Sequence, residues 1–383
     1  MFAFALDEKP QCQDAGNGRL FRCKTRLLQS LVGERVIMDP IEDDLSEVLS
    51  DIESSLILLK KKFSEMSNAT VFVSEFVLHC AINSKDRSFT VVALAIIYLV
   101  TLFGNLLVIL VIILDHHLQT PMFFLIGSLA VIDLLNNTNL IPKMMVLLLF
   151  DKSAVPYGAC LVQMFLVYHL EIVECFLLGL MACDRYIAVI YPLRYPQLVT
   201  RRTVWAGILL SNVISGMALT VHMIFVTELS FCRTNVLPYC FCEFAAMVLV
   251  SCTENAKYLS LIVTTATTFG VGSLMIILFS YSKIAYAALK ISSSEGKGKV
   301  FNVLVTHLLV VLLFYVPLLT AFILPGLGVK LSTEDYNTMV IIGTITPPMF
   351  NPIIYSFRNK KIKNGIKKIF LRKRTIPEIN NRM

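Results

Sequence analysis

Seven stretches of this chain are each long and apolar enough to cross a lipid bilayer as a helix, and nothing else in the sequence limits the fold as much. They run over Phe89–Leu114, Pro121–Leu149, Cys160–Ile190, Val204–Phe225, Tyr258–Leu289, Val300–Leu324 and Tyr336–Phe357. A bilayer core takes about 20 mostly apolar residues in a helix. Inside lipid every backbone N–H and C=O needs a partner within the protein, and a lone segment supplies its own only as a helix. The composition fits: 56% of the 383 residues are hydrophobic and 16% charged, where a soluble domain has about 45–50% and about 25%. The expected fold class is all-α integral membrane, a seven-transmembrane helix bundle over residues 89–357.

Lysine and arginine set the orientation, because short cytoplasmic loops carry the excess. With the N-terminus outside, the inner loops hold Arg194, Arg201, Arg202, Lys283, Lys290, Lys297 and Lys299, and the tail adds nine more from Arg358 to Arg374. The outer loops hold Lys152, Arg233, Lys257 and Lys330. Sixteen against four predicts an extracellular N-terminus and a cytoplasmic C-terminus. In the tail, residues 358–383, Ile362, Ile366, Ile369 and Phe370 recur between lysines, which suits a short amphipathic C-terminal helix on an anionic inner leaflet. Residues 1–65 are polar, acidic from Asp39 to Glu53, and carry no recognisable chemistry; with Met66 as an alternative start they read as a dispensable extension ahead of an extracellular segment over 66–88. Asn68-Ala-Thr70 is an N-glycosylation acceptor if that segment lies outside. Phe2 to Leu6 is too short for the apolar core of a cleaved signal peptide, so the first span would act as the targeting signal.

Charged groups at membrane depth are functional candidates. Asp133 lies in the second window and Glu174 in the third, and their hard oxygens suit a small cation or a shared proton. Asp184-Arg185-Tyr186 closes the third window; a buried pair whose arginine can change partner is a two-state element, or else an anchor at the inner face. Asn351-Pro352-Ile-Ile-Tyr355 places a proline inside a helix, which removes one backbone hydrogen bond and permits a bend. Cys232, Cys240, Cys242 and Cys252 crowd one polar segment without zinc spacing, a pattern that reads as extracellular disulfides. The sequence has no nucleophile–base arrangement, no Gly-rich phosphate loop and no His/Cys metal set, which argues against an enzyme; it has no repeat relating two halves, which argues against a transporter. Nothing in it points to nucleic acid.

The run Met181-Ala-Cys-Asp-Arg-Tyr-Ile-Ala-Val-Ile-Tyr-Pro-Leu-Arg-Tyr-Pro196 is far more specific than its Asp-Arg-Tyr core. It resembles the corresponding stretch of odorant receptors, a family of rhodopsin-like G-protein-coupled receptors, and departs from it at Cys183 and Tyr191. Further matches follow in the family's order: Gly104-Asn105, Pro121-Met-Phe-Phe-Leu125, Leu129-Ala-Val-Ile-Asp133, Ile141-Pro-Lys-Met144, Ser280-Tyr281, Lys299-Val-Phe-Asn-Val-Leu-Val-Thr-His-Leu308, Phe314-Tyr315 and Pro347-Pro-Met-Phe-Asn-Pro-Ile-Ile-Tyr-Ser-Phe-Arg-Asn359. The resemblance covers roughly residues 68–372.

That resemblance implies a plasma-membrane receptor that binds a small odorant in the outer half of the bundle. It would activate a heterotrimeric G protein of the stimulatory, cyclic-AMP-raising type through the alpha subunit; a rhodopsin-like receptor for a non-odorant amine or lipid is the alternative. Membrane lipids and trafficking chaperones are further partners. No cofactor is required, and Asp133, Glu174 and Asn351 would hold an allosteric sodium ion. Coupling and switching fall to Asp184, Arg185, Tyr186, Tyr281, Asn351, Pro352 and Tyr355. By the family pattern Cys160 pairs with Cys242 and Cys232 most simply with Cys252; Cys240 is left over, or competes with Cys242, and Cys12, Cys23, Cys80, Cys175 and Cys183 read as free thiols. Positions carried across from the motifs give a ligand pocket of Val167, Tyr168, Glu171, Ile172, Thr265, Phe269, Tyr315, Leu319, Phe322 and Thr344. Glu171, one turn before Glu174, would bind a cationic or hydroxylated ligand, or sit protonated against a neighbouring helix.

Overall fold

The computed structural model describes residues 73–80, 87–150, 154–231, 234–253, 256–326 and 332–372. The extension over 1–65, the acceptor Asn68, and Cys12, Cys23 and Cys232 lie outside the described residues.

The seven apolar windows are seven helices: α1 (Arg87–Leu114), α2 (Pro121–Phe150), α3 (Tyr157–Ile190), α4 (Arg201–Thr227), a composite α5, α6 (Ser294–Gly326) and α7 (Thr333–Arg358). The fifth runs as helix over Ala256–Thr265, widens to a π-helical turn at Ala266–Val271, and resumes over Gly272–Leu289. Helix α8 (Lys360–Arg372) leaves α7 at 82°. Local chemistry sets several ends. Pro121 opens α2, where its missing N–H costs nothing. Thr200 caps α4: its hydroxyl accepts from the Thr203 N–H at 3.2 Å while its own N–H donates to Thr203 Oγ1 at 2.8 Å. Ser332 caps α7 from Asp335 N at 3.1 Å, and Glu334 and Asp335 sit against the positive end of the helix dipole. Phe103, Leu110, Leu209, Met275 and Phe279 are exposed on the bundle's flanks, an apolar surface of the kind that faces lipid rather than water.

One helix contact shows why Gly104 and Asn105 stand together. Pro352 has no N–H for the carbonyl four residues back in α7. Asn105 Nδ2 donates to that Pro348 oxygen at 3.0 Å, and to Thr101 O in its own helix at 3.0 Å. The approach is close enough that a Cβ on Gly104 would lie 2.9 Å from Pro352 Cγ. Gly104→Val is therefore expected to cost about 1–3 kcal/mol through overpacking, read as a lower midpoint in thermal unfolding of the detergent-purified protein. An unchanged midpoint would mean that α1 and α7 part at no cost.

A small sheet covers one end of the bundle. Strand β1 (Glu75–Leu78) pairs antiparallel with β2 (Ala154–Pro156), Phe76 opposite Val155, and parallel with β3 (Val236–Leu237), Leu78 opposite Leu237. Its alternation buries Phe76 and Leu78 against the helix ends. Two disulfides fasten this end: Cys160 to Cys242, and Cys80 to Cys240. The second corrects the expectation that Cys80 is a free thiol and Cys240 a leftover. Pairing of β1 with β3 brings Cys80, two residues past Leu78, beside Cys240, three past Leu237, with the Cα atoms 4.4 Å apart. Cys252 is also disulfide-bonded; Cys232, its expected partner, lies outside the described residues. Cys175 and Cys183 are free.

Candidate functional site

Just beneath the sheet, α3, α6, α7 and the segment after β3 enclose a cavity of about 120 Å³. Helix α3 presents Val167, Tyr168, Glu171 and Glu174, residues spaced to share one helical face. Phe314, Pro317 and Leu318 come from α6, and Tyr336, Met339, Val340, Gly343 and Thr344 from α7. Phe241 and Glu243 reach in from the loop. Three contacts fix that loop over the cavity. The Cys160–Cys242 bond ties it to α3, Gln163 Oε1 accepts from Cys242 N at 3.2 Å, and Asn337 Nδ2 of α7 donates to Pro238 O at 2.7 Å. Tyr336 OH donates to Glu243 Oε1 at 3.3 Å. Burial pushes the Glu243 carboxyl up to about 7, and the tyrosine hydrogen bond opposes that rise.

A second cavity of about 60 Å³ adjoins the first, sharing Tyr168, Glu171 and Leu318. It is lined further by Ile172, Cys175, Leu219, His222, Thr265 and Phe269. Thr265 Oγ1 and His222 Nε2 are 3.3 Å apart. Of the ten expected pocket residues, Val167, Tyr168, Glu171 and Thr344 border the first cavity, and Ile172, Thr265 and Phe269 the second. Two of the ten border neither cavity. Tyr315 borders neither cavity, because its hydroxyl pairs with Ser273 Oγ at 2.6 Å across the α5–α6 contact. Leu319 borders neither, and Leu318, one position and about 100° round the helix, takes its place. The side chain of Phe322 lies outside the described residues. Phe241, Glu243 and Tyr336 were missed. For Phe241 and Glu243 the one available signal was the Cys160–Cys242 pairing itself, which sets the neighbours of Cys242 over α3; Tyr336 opens the seventh span.

Deeper in the bundle lies a layer of buried amides and carboxyls. Asn351 Nδ2 donates to both oxygens of Asp133, at 3.1 and 3.3 Å, and Asp133 is fully buried. Asn137 Nδ2 donates to Thr101 Oγ1 at 3.0 Å. Glu174 Oε1, Asn136 Oδ1, Asn137 Oδ1 and Asn351 Oδ1 are buried and accept no hydrogen bond. Such oxygens are the donors a small hard cation takes. Among the described residues no three His, Cys, Asp or Glu side chains gather as a metal-ligating group.

At the opposite end, Arg185 Nη2 meets Asp184 Oδ2 at 2.7 Å, and Tyr195 OH donates to Asp184 Oδ1 at 2.9 Å. Arg185 borders a cavity of about 210 Å³ with Tyr281 and His307. It also borders an open cleft of about 1290 Å³ that takes in Tyr195, Asn302, Tyr355, Arg358, Lys360 and Lys361. Tyr355 OH is buried without a hydrogen-bond partner. Tyr186 packs edge-on to Tyr191, ring centroids 6.0 Å apart. The structure thus gathers Arg185, Tyr281 and Tyr355 at one end, and sets Asn351 and Pro352 between that end and the cavities.

The family model for the olfactory receptor matches residues 94–373. Olfactory receptor 13C9 of Homo sapiens is 35% identical over 309 residues, covering 79% of this chain and 96% of that protein. Olfactory receptor 5F1 of Homo sapiens is 35% identical over 284 residues, 73% of this chain and 88% of that protein. Olfactory receptor 1E16 of Mus musculus is 32% identical over 307 residues, 80% of this chain and 97% of that protein.

Proposed function

The chain belongs to the olfactory receptor family, and on that premise we propose that it is an odorant receptor that takes a small organic ligand beneath the sheet and passes the signal to a heterotrimeric G protein at the opposite end. The observation that carries this reading is the pairing of a largely apolar cavity at one end with a large cleft rimmed by Arg185, Arg358, Lys360 and Lys361 at the other. Small-ligand sites are concave and mostly apolar, with a few placed polar groups. The excess of basic residues beside the cleft supports a cytoplasmic position for that end, with the sheet and disulfides outside the plasma membrane. Lysines on α8 face an anionic leaflet, and Ile362 is buried against the bundle.

Helices α3, α6 and α7 reach both sites, so a ligand that fits one of their arrangements better shifts the population toward it. Its differential affinity sets the size of the shift. Asp133, Glu174 and Asn351 would hold a sodium ion that adds weight to one arrangement; the unpartnered buried oxygens fit such an ion. The test is a cyclic-AMP reporter in cells given this receptor, a stimulatory olfactory-type alpha subunit and a broad odorant panel. The expected result is a rise that needs both odorant and alpha subunit. Silence with verified surface expression would overturn the odorant reading.

A further inference from the structure

The first cavity is walled by three carboxyl groups, Glu171, Glu174 and Glu243, and among its described lining residues there is no lysine, arginine or histidine. Two of the three are more than nine-tenths buried, with Glu174 at 4% and Glu243 at 7% exposure. Glu243 Oε2 accepts no hydrogen bond, while the unpartnered Glu174 Oε1 faces the deeper layer with Asp133 and Asn351. Buried carboxylate oxygens without a donor cost free energy unless something supplies one. The same wall carries the aromatic faces of Tyr168, Phe241 and Tyr336, which attract a cation through their ring quadrupoles. Carboxylates set among aromatic rings, with no competing base, are complementary to an ammonium group on an apolar stem.

From this we infer that the ligand class of this receptor is a small aliphatic amine, its ammonium held between Glu171 on α3 and Glu243 on the loop. The inference rests on the odorant-receptor reading and narrows it. Glu243 supports it further: burial and the neighbouring Glu171 charge hold its carboxyl near 7, so an arriving ammonium stabilises the ionised form. Glu171→Gln and Glu243→Gln keep shape and remove charge.

The test uses purified full-length receptor at pH 7 and reads thermal stabilisation by hexylamine and cyclohexylamine against hexanol and cyclohexanol. Amines are expected to stabilise at concentrations at least tenfold below their matched alcohols, and E171Q and E243Q each to erase that preference. Alcohols equal to amines in the unaltered receptor would overturn the proposal, as would amine preference surviving both variants. The unaltered receptor decides even if a variant fails to fold. Cyclic AMP measured alongside separates the two readings. Amine stabilisation without signalling upholds the amine site and sinks the receptor mechanism; signalling by alcohols without amine preference does the reverse.

Discussion

Replacing Asn351 with leucine is expected to destabilise the bundle by about 1–3 kcal/mol, the cost of leaving a buried carboxyl without its hydrogen-bond donor. Asp133 is fully buried, and both of its oxygens are held by the Asn351 amide. Leucine fills a similar volume but donates nothing. The buried carboxyl is then left without that donor. A double variant, Asp133→Leu with Asn351→Leu, should recover much of the loss, because replacing both members removes the unmet group rather than exposing it. Thermal unfolding in detergent, followed by a thiol-reactive dye at buried Cys175, measures both variants. If the single variant melts with the unaltered protein, the pair contributes nothing and Asp133 is held by other means. If the double variant is worse than the single, the packing of this layer outweighs its polar chemistry.

The bundle was legible because lipid imposes one strong rule on each span, and that rule acts on residues adjacent in sequence. The α7 proline segment was legible for a similar reason, since Pro352 reports a lost hydrogen bond wherever it sits. The partner that fills the freed Pro348 carbonyl lies 243 residues away in sequence at Asn105, and only packing reveals it. The sheet was hidden for the same reason. Its strands have four, three and two residues, too short for any periodicity, and all their hydrogen bonds are long-range. Missing β1 meant missing the Cys80–Cys240 bond, which follows from its register. The expected α3 residues border the cavities, their face counting rigidly from Asp184, whereas α6 presents Leu318 there rather than the expected Leu319. Glu243 stood in a loop, where no helical count applies, and it became visible only once the disulfide had placed its neighbour.

Arg185→Ala is expected to abolish the ligand-driven cyclic-AMP rise, at least a hundredfold in response, while leaving ligand stabilisation of the purified receptor in place. The reasoning is spatial. Arg185 lies at the end of the bundle opposite the ligand cavities and borders none of their walls. Its guanidinium is paired to Asp184 at 2.7 Å, and its side chain is 24% exposed toward the open cleft. A guanidinium can leave one carboxylate and offer its remaining donors to a new acceptor in a way that no neutral side chain can. Alanine removes the switching group without filling the cleft. Tyr195→Phe tests the same element from the other side: it deletes the 2.9 Å bond that helps hold Asp184, so the pair breaks more readily and basal signalling should rise. Coupling free energies between sites run about 1–3 kcal/mol, or roughly 5–150-fold, so both effects fall within reach of a reporter assay. Loss of ligand stabilisation in Arg185→Ala would mean that the substitution unfolds the receptor or reaches the cavity. A full response in that variant would remove Arg185 from the switch and leave the Asp184 pair as an anchor at the inner face.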